Sequence, residues 1–284
     1  MNMTTATAQP AAPVQSAARS GSHADARITF PHLVRAQWIT LSSLRGTLVS
    51  LLLGIGLAVG LAGAFSLMIS LSNQMSEGAT ALPDLTTMGT NTITVALCVA
   101  VLVAVSFYAK EHSTGAHRTL LAAAPRRATL IGAKAVVIAV SAFVAAVIAL
   151  ALSFAAVSIV YAGFGNPVLT GSFLDSILLP ILGGAFYVAA SAVFALGVSV
   201  LLRSETWGIL LVLVYLLMLP TVLMLLPFDW APTTAEYLLS STGSQLAAPF
   251  AGFTGELAAD LALTLAWPIA ALGLGMAVES GRDA

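Results

Sequence analysis

The sequence has very little charge. Asp, Glu, Lys and Arg together make up 8% of the 284 residues, whereas apolar residues make up 58% and the mean hydropathy is +0.97. Soluble domains carry about 25% charged residues because their surface must face water. A chain with so few charged residues has little water-facing surface. The composition therefore excludes an ordinary soluble domain and indicates an integral membrane protein.

Cysteine and histidine are also scarce. Cys98 is the single cysteine, so an intrachain disulfide framework and a thiolate metal cluster are both excluded. None of the four histidines lies in a long apolar stretch. His112 and His117 are five positions apart, which does not match the i, i+4 zinc pair on one helix face. We therefore expect no metal site.

The sequence lacks a nucleotide-binding motif as well. A P-loop reads G-x-x-x-x-G-K-[ST], and its lysine contacts the phosphates. Lys110 and Lys134 are followed by Glu111 and Ala135, so neither lysine fits this pattern. Apart from Glu256 and Asp260 at the start of the last stretch, the apolar stretches contain no carboxylates, and they contain no histidine that could perform catalysis. We expect no enzymatic activity and no cofactor in this chain, and no nucleic-acid partner.

What the sequence does have is six long apolar stretches. A helix that crosses about 30 Å of hydrocarbon needs about 20 mostly apolar residues. Stretches of this kind cover 47–71, 89–109, 133–161, 176–202, 206–227 and 256–278, and the third and fourth are long enough to tilt. They predict an all-α integral membrane fold with six transmembrane helices. Residues 1–27 are rich in Ala, Ser, Thr, Gln and Pro, and are predicted to form a disordered N-terminal arm.

The basic residues all fall on one side of this arrangement. If the N-terminus is cytoplasmic, the eleven Lys and Arg lie in the arm, the loop between spans two and three, the turn around Arg203 and the C-terminus, with Lys134 at the inner start of span three. The outer loops contain acidic residues but no Lys or Arg. This is the positive-inside pattern, and it predicts that both termini are cytoplasmic.

The spans have almost no ionisable side chains away from their ends. Lys134, Glu256 and Asp260 are in the first turns of their spans, where we expect them to reach the interface. Ion-coupled carriers usually need charged groups in mid-membrane, or half-helix ends that coordinate the ion. The absence of such charges disfavours an ion-coupled carrier. An ion site built from backbone carbonyl groups stays an alternative.

The loop between spans two and three concentrates five of the eleven basic residues between Lys110 and Lys134. Ser113 or Thr114 is a suitable N-cap for a short helix over 115–123, which Pro125 would end. Two explanations account equally well for the basic residues of this loop. One is attraction to anionic headgroups, worth about 1 kcal/mol per basic residue, and the other is docking of a partner protein.

A second segment, 30–47, precedes span one. Val34, Trp38, Leu41 and Arg45 recur at near-helical spacing, and Gln37 is assigned to another face. This pattern predicts an amphipathic helix in the inner interface, with Trp38 at headgroup level. A cytoplasmic extension of span one is the alternative.

Two of these segments resemble motifs of the ABC-2 type permease subunits of actinobacterial ABC transporters. The segment before span one is similar to R-x-E-W-x-K-L-R-S-L-R-S/T, with Gln37, Thr40 and Ser42 in place of Glu, Lys and Arg. The loop resembles E-[YH]-S-x-G-x-x-R-x-T-L-x-x-x-P-R-R. Its matching residues are Glu111, Ser113, Gly115, Arg118, Thr119, Leu120, Pro125, Arg126 and Arg127. Those of the first segment are Arg35, Trp38, Leu41, Ser43, Leu44 and Arg45.

The resemblance implies a permease domain over 28–284 in the bacterial cytoplasmic membrane. The segment before span one would be an interfacial elbow helix, and the loop would hold a coupling helix that docks on a separate ABC ATPase subunit, where ATP and magnesium bind. Two permease copies, or two related permeases, would pair to give twelve spans surrounded by membrane lipid. Residues 228–255 would form short re-entrant or surface helices. The implied activity is ATP-driven transport, with export as the direction.

Two other functions fit the composition. One is an ion-coupled secondary carrier or channel, and the other is a membrane anchor that recruits a cytoplasmic partner without transporting anything. Gly56 and Gly60 in span one are spaced as G-x-x-x-G, which permits close approach of helices and suggests a dimer contact.

Overall fold

The computed structural model describes residues 29–43, 45–75, 92–113, 127–165, 172–249, 252 and 254–281. Every regular element in these residues is helical. The α-helices are α1 (Phe30–Ser43), α2 (Arg45–Met75), α3 (Ile93–Ser113), α4 (Arg127–Gly163), α5 (Leu179–Leu202), α6 (Glu205–Leu213), α7 (Leu219–Leu225), α8 (Trp230–Glu236), α9 (Leu239–Leu246) and α10 (Gly255–Gly281). A π-helical turn at Leu174–Leu178 leads into α5, and another at Val214–Met218 joins α6 to α7.

Six helical stretches among the described residues are long and apolar enough to cross a membrane. They are Arg45–Met75, Ile93–Lys110, Thr129–Gly163, Leu174–Leu202, Glu205–Leu225 and Gly255–Glu279. The predicted number of spans is confirmed. Span one is also long, at 31 residues, which its composition did not suggest. The predicted disordered arm lies outside the described residues.

The centre of the bundle is α5. In an 18-residue apolar segment of span four, 78% of the residues are buried, whereas in the corresponding segment of span one only 17% are buried. Helix α5 packs against α3, α4, α9 and α10. Small residues make this possible, because a Cβ at Gly197 would lie 2.6 Å from the carbonyl carbon of Ala271. Glycine and alanine on α5 therefore let neighbouring backbones approach closely, as is common between membrane helices.

Helix α2 lies at the edge of the bundle. Its buried residues include Gly54, Ala58 and Ala62, a narrow stripe of small side chains along one face. That face packs against α4 and α3. Large apolar side chains occupy the rest of the helix, and Leu52 and Leu53 are about two-thirds exposed. In a membrane these side chains contact lipid, which explains why a helix this apolar buries so little of itself in protein.

The two π-helical turns found in the described residues share one sequence feature. Each is followed after one residue by a proline, Pro180 in α5 and Pro220 in α7. Proline has no N–H and its ring clashes with the carbonyl four residues earlier, so a regular α-turn is disfavoured there. A wider turn accommodates the ring without ending the helix. Helix α7 then ends at Leu225, because Leu226 precedes Pro227 and adopts an extended conformation.

Two short helices, α8 and α9, connect span five to span six. Leu239 and Leu246 of α9 are buried against the bundle. The contact with α5 is close, because a Cβ at Gly183 would lie 2.6 Å from the carbonyl carbon of Leu246 and would overlap its carbonyl oxygen. The sequence resemblance implied short helices in this part of the chain, and short helices are found there.

Candidate functional site

Three basic residues from different spans meet at one end of the bundle, which we call the basic end. The Nζ atom of Lys110 lies beside Gly46, at the start of α2. The Nζ atom of Lys134 lies over the ring of Tyr108, 5.3 Å from its centroid. Tyr108 and Arg203 in turn line a common cavity. The positive-inside pattern requires such grouping, since charges that share one side of the membrane must collect at one end of the helices.

The predicted coupling residues lie at or beyond the helices that frame this end. Glu111 and Ser113 belong to the last turn of α3, and Arg127 is the first residue of α4. Gly115, Arg118, Thr119, Leu120, Pro125 and Arg126 lie outside the described residues, as does the predicted helix over 115–123. The structure therefore places the two ends of the loop at the basic end.

Lys134 is buried, contrary to the expectation that its side chain reaches the interface. It is only 2% exposed. Its Nζ atom lies 5.4 Å from the ring centroid of Phe107 and close to the Tyr108 ring, so the cation faces two aromatic rings of α3. The reason is that α4 begins at Arg127, earlier than span three was predicted to begin, which places Lys134 within the packed part of the helix. Lys134 thus joins the ends of α3 and α4.

The turn between α5 and α6 builds a polar site. Arg203 ends α5 in the left-handed conformation at φ 52°, and the extended Ser204 caps α6 by accepting a hydrogen bond from the Trp207 N–H at 3.5 Å. The next residue, Glu205, accepts a 2.6 Å hydrogen bond from the Ser106 hydroxyl of α3. This bond joins two elements that are far apart in the sequence and holds α6 against α3.

Beside this hydrogen bond lies a cavity of about 350 Å³. Its polar walls come from Tyr108 of α3, Ser199 of α5, and the turn residues Arg203, Ser204 and Glu205; Val105 and Ala109 complete it. Two residues of opposite charge, Arg203 and Glu205, therefore line the same cavity. Hydroxyl groups surround them, and the arrangement suits polar binding rather than covalent chemistry.

Two acidic residues at the basic end were not singled out from the sequence. Glu205 lies in the cavity wall, and Glu279 near the end of α10 is 2% exposed. Glu205 follows Arg203 by two positions and Glu279 precedes Arg282 by three, whereas Asp175, Asp229 and Glu236 lie at the opposite end of their spans. An acid on the side of the membrane that otherwise collects Lys and Arg is the signal that could have identified them.

Helix α1 packs on α4, and a Phe30 ring atom lies 3.8 Å from a Cβ built at Gly132, near the start of α4. Leu41 is buried, Arg35 is exposed, and Trp38 is 46% exposed. Arg45 is exposed at the start of α2. Gln37 is also buried, although the helical spacing assigned it to another face. The face of α1 that contacts the bundle therefore lies between the polar and apolar faces that were predicted.

Gly56 and Gly60 lie on the exposed face of α2. Among the described residues, nothing lies within 4 Å of a Cβ built at either position. The glycine of α2 that packs within the chain is Gly54, where a Cβ would lie 2.6 Å from a Val99 methyl group. The dimer contact through Gly56 and Gly60 stays a prediction.

Away from the basic end, side-chain hydrogen bonds hold α9 and the C-terminal end of α8 to their neighbours. Thr264 of α10 donates to the buried Thr242 hydroxyl at 3.1 Å. The Tyr215 hydroxyl accepts from the Leu239 N–H at 3.5 Å, and the Trp267 ring N–H donates to the Tyr237 carbonyl at 3.0 Å. These bonds are structural. The described residues contain no group of three or more His, Cys, Asp or Glu that could hold a metal ion.

Comparison with protein-family models gives no match for this chain, and comparison with curated proteins gives no match either. The class that the fold defines is a multi-pass, all-helical membrane protein with six candidate spans in its described part.

Proposed function

We propose that the chain is the membrane-spanning subunit of a transporter whose ATP hydrolysis takes place on a separate subunit, with the architecture of an ABC-2 type permease. The observation that carries the proposal is the 17-position loop pattern from Glu111 to Arg127, which joins two spans. In this proposal the basic end is cytoplasmic, the substrate is exported, and two permeases form the working unit in a bacterial cytoplasmic membrane.

The packing at the basic end supports a lever role for this loop. An ATPase that moves the loop must move the helices at its two ends, α3 and α4, together. The cation–π contacts of Lys134 with Phe107 and Tyr108 join these helices just inside the loop. Helix α4 packs on the central helix α5, and α1 packs on the start of α4. A rigid-body shift at the loop would therefore reach most of the bundle.

Partner binding is the first test. The chain is co-expressed with the ATPase encoded beside its gene, and both are purified through a tag on the chain. Glu111→Lys and Arg118→Glu should each reduce recovery of the ATPase at least tenfold, because charge reversal replaces attraction by repulsion at a docked surface. Arg45→Glu is the matched control, since Arg45 is an exposed basic residue at the same end but on α2. Recovery that is unchanged by both loop reversals would contradict docking.

A second variant separates docking from transmission. Lys134→Met removes the cation but keeps the length of the side chain, and Lys134 is buried. We expect this variant to bind the ATPase like the wild type and to lose substrate-stimulated ATP hydrolysis in liposomes. Lys134→Arg should recover part of that stimulation, because a guanidinium can also lie over aromatic rings. If the chain alone moved solute against a gradient, without any ATPase, the proposed function would be wrong.

A further inference from the structure

The cavity at the basic end combines the two charges of a zwitterion. We propose that it binds the headgroup of a membrane phospholipid that contains both a phosphate and a primary ammonium, as phosphatidylethanolamine does. This proposal is independent of the transport function, because it concerns how the chain contacts its membrane.

The charges are the first reason. Arg203 and Glu205 both line the cavity, and no ion pair joins them in the described part of the chain. A guanidinium binds phosphate oxygens through paired N–H donors. A carboxylate accepts hydrogen bonds from an ammonium group, and Glu205 keeps acceptor capacity after the bond from Ser106. In a headgroup with one phosphate and one ammonium, the phosphate would pair with Arg203 and the ammonium with Glu205. An anionic headgroup would instead place a negative charge against the Glu205 carboxylate.

The hydroxyl groups add directed hydrogen bonds. Ser204 Oγ accepts the hydrogen bond from the Trp207 N–H, and its own O–H stays available to donate. Ser199 instead donates its hydroxyl proton to the Leu196 carbonyl at 2.7 Å, so its oxygen can only accept from a ligand. The cavity thus offers a donor beside Arg203 for the phosphate and an acceptor for the ammonium. Its volume of about 350 Å³ is within the range of small-molecule sites.

The position of the cavity makes a lipid the occupant. The cavity lies where spans two and four end and span five begins, which is the depth of headgroups in a bilayer. On either side of the turn, Leu202 is 40% exposed and Trp207 is 64% exposed. Tryptophan favours the membrane interface, with its ring at headgroup level. A headgroup in the cavity would therefore leave its acyl chains beside this lipid-facing surface.

Titration of lipids into the purified, delipidated chain in detergent tests the proposal. Phosphatidylethanolamine, phosphatidylcholine and phosphatidylglycerol are added in mixed micelles, and binding is followed by the rise in unfolding temperature. We expect phosphatidylethanolamine to bind about tenfold more tightly than the other two, because only its ammonium can donate to Glu205. Phosphoethanolamine without acyl chains should bind more weakly than the lipid; equal affinity would overturn the lipid as the source of the headgroup.

Variants locate the site. Arg203→Gln and Glu205→Gln should each weaken phosphatidylethanolamine binding about tenfold, which corresponds to one charge-assisted hydrogen bond. Arg203→Lys should retain part of the affinity, and Arg45→Gln, outside the cavity, should retain all of it. The unfolding temperature without lipid shows whether each variant is folded. If Arg203→Gln does not fold, the lipid affinity of Glu205→Gln alone tests the proposed site. Equal binding of phosphatidylglycerol, or unchanged binding by Glu205→Gln, would overturn the proposal.

Discussion

The contact between α5 and α9 gives the sharpest prediction about stability. A Cβ at Gly183 would lie 2.6 Å from the carbonyl carbon of Leu246 and would overlap the carbonyl oxygen of the same residue. Both obstacles are backbone atoms, so no side-chain rotation can relieve the clash. Gly183→Ala must therefore separate two backbones that are packed directly against each other.

The size of the effect follows from this contact. Real Cβ atoms essentially never come within 3.0 Å of another heavy atom, so the carbonyl carbon alone has to move by about 0.4 Å, and the overlapped oxygen has to move further. Overpacking of a dense core costs about 1–3 kcal/mol, and a clash with backbone belongs at the upper end of that range. Against this, replacing a helical glycine by alanine gains at most about 1 kcal/mol. We expect a net loss of about 2 kcal/mol.

Unfolding in detergent measures this loss. Wild type and variant are heated in parallel, and the fraction that stays monodisperse on size exclusion is followed. Gly183→Ala should lower the unfolding temperature by several degrees. Gly273→Ala is the matched control, because a Cβ at Gly273 meets nothing within 4 Å among the described residues. It should be neutral or slightly stabilising.

Equal unfolding temperatures for Gly183→Ala and Gly273→Ala would refute the reasoning. That result would mean that α9 is not held against α5 in solution as closely as the packing requires. The same pair of variants also tests whether this contact affects the basic end. Since Gly183 is near the opposite end of α5 from Arg203, we expect the lipid titration to be unchanged by Gly183→Ala.

Two further predictions concern the hydrogen bonds that hold α9 and the C-terminal end of α8. Thr264→Val keeps the shape of the side chain but removes the donor to Thr242, and should cost about 0.6 kcal/mol, the average for hydrogen bonds between membrane helices. Equal stability of Thr264→Val and wild type in detergent unfolding would contradict a contribution from this bond. Trp267→Phe keeps an aromatic ring beside Phe194 but removes the N–H donor to the Tyr237 carbonyl. We expect a loss of about 1 kcal/mol in the same assay, and no loss would show that the bond contributes nothing.

The six spans could be predicted because membrane crossing depends on local composition. A run of about 20 apolar residues identifies a span without any knowledge of its neighbours. The interruptions were harder, since a π-helical turn before Pro180 or Pro220 leaves the apolar run intact. The end of α7 before Pro227 belongs to the same class of local backbone effects.

The candidate site was less accessible from sequence because its residues meet only in the folded chain. The bond between Ser106 and Glu205 joins residues that are 99 positions apart. The burial of Gln37 and Lys134 depends on the helices that pack against them. The periodicity of a sequence shows which face of a helix is polar but does not show which face contacts another helix. The G-x-x-x-G spacing likewise identified Gly56 and Gly60, whereas the close contact within the chain is made by Gly54.

The π-helical turn at Val214–Met218 changes which residues of span five lie on the same face of the helix. Each residue of an α-helix advances the chain by about 100° around the axis, so one additional residue in a wide turn rotates every later side chain by about that angle relative to an uninterrupted helix. A helical wheel drawn across the whole span would therefore mix two different faces. Deleting one residue within this turn should realign the two segments as one continuous helix and turn the α7 side chains away from their present neighbours.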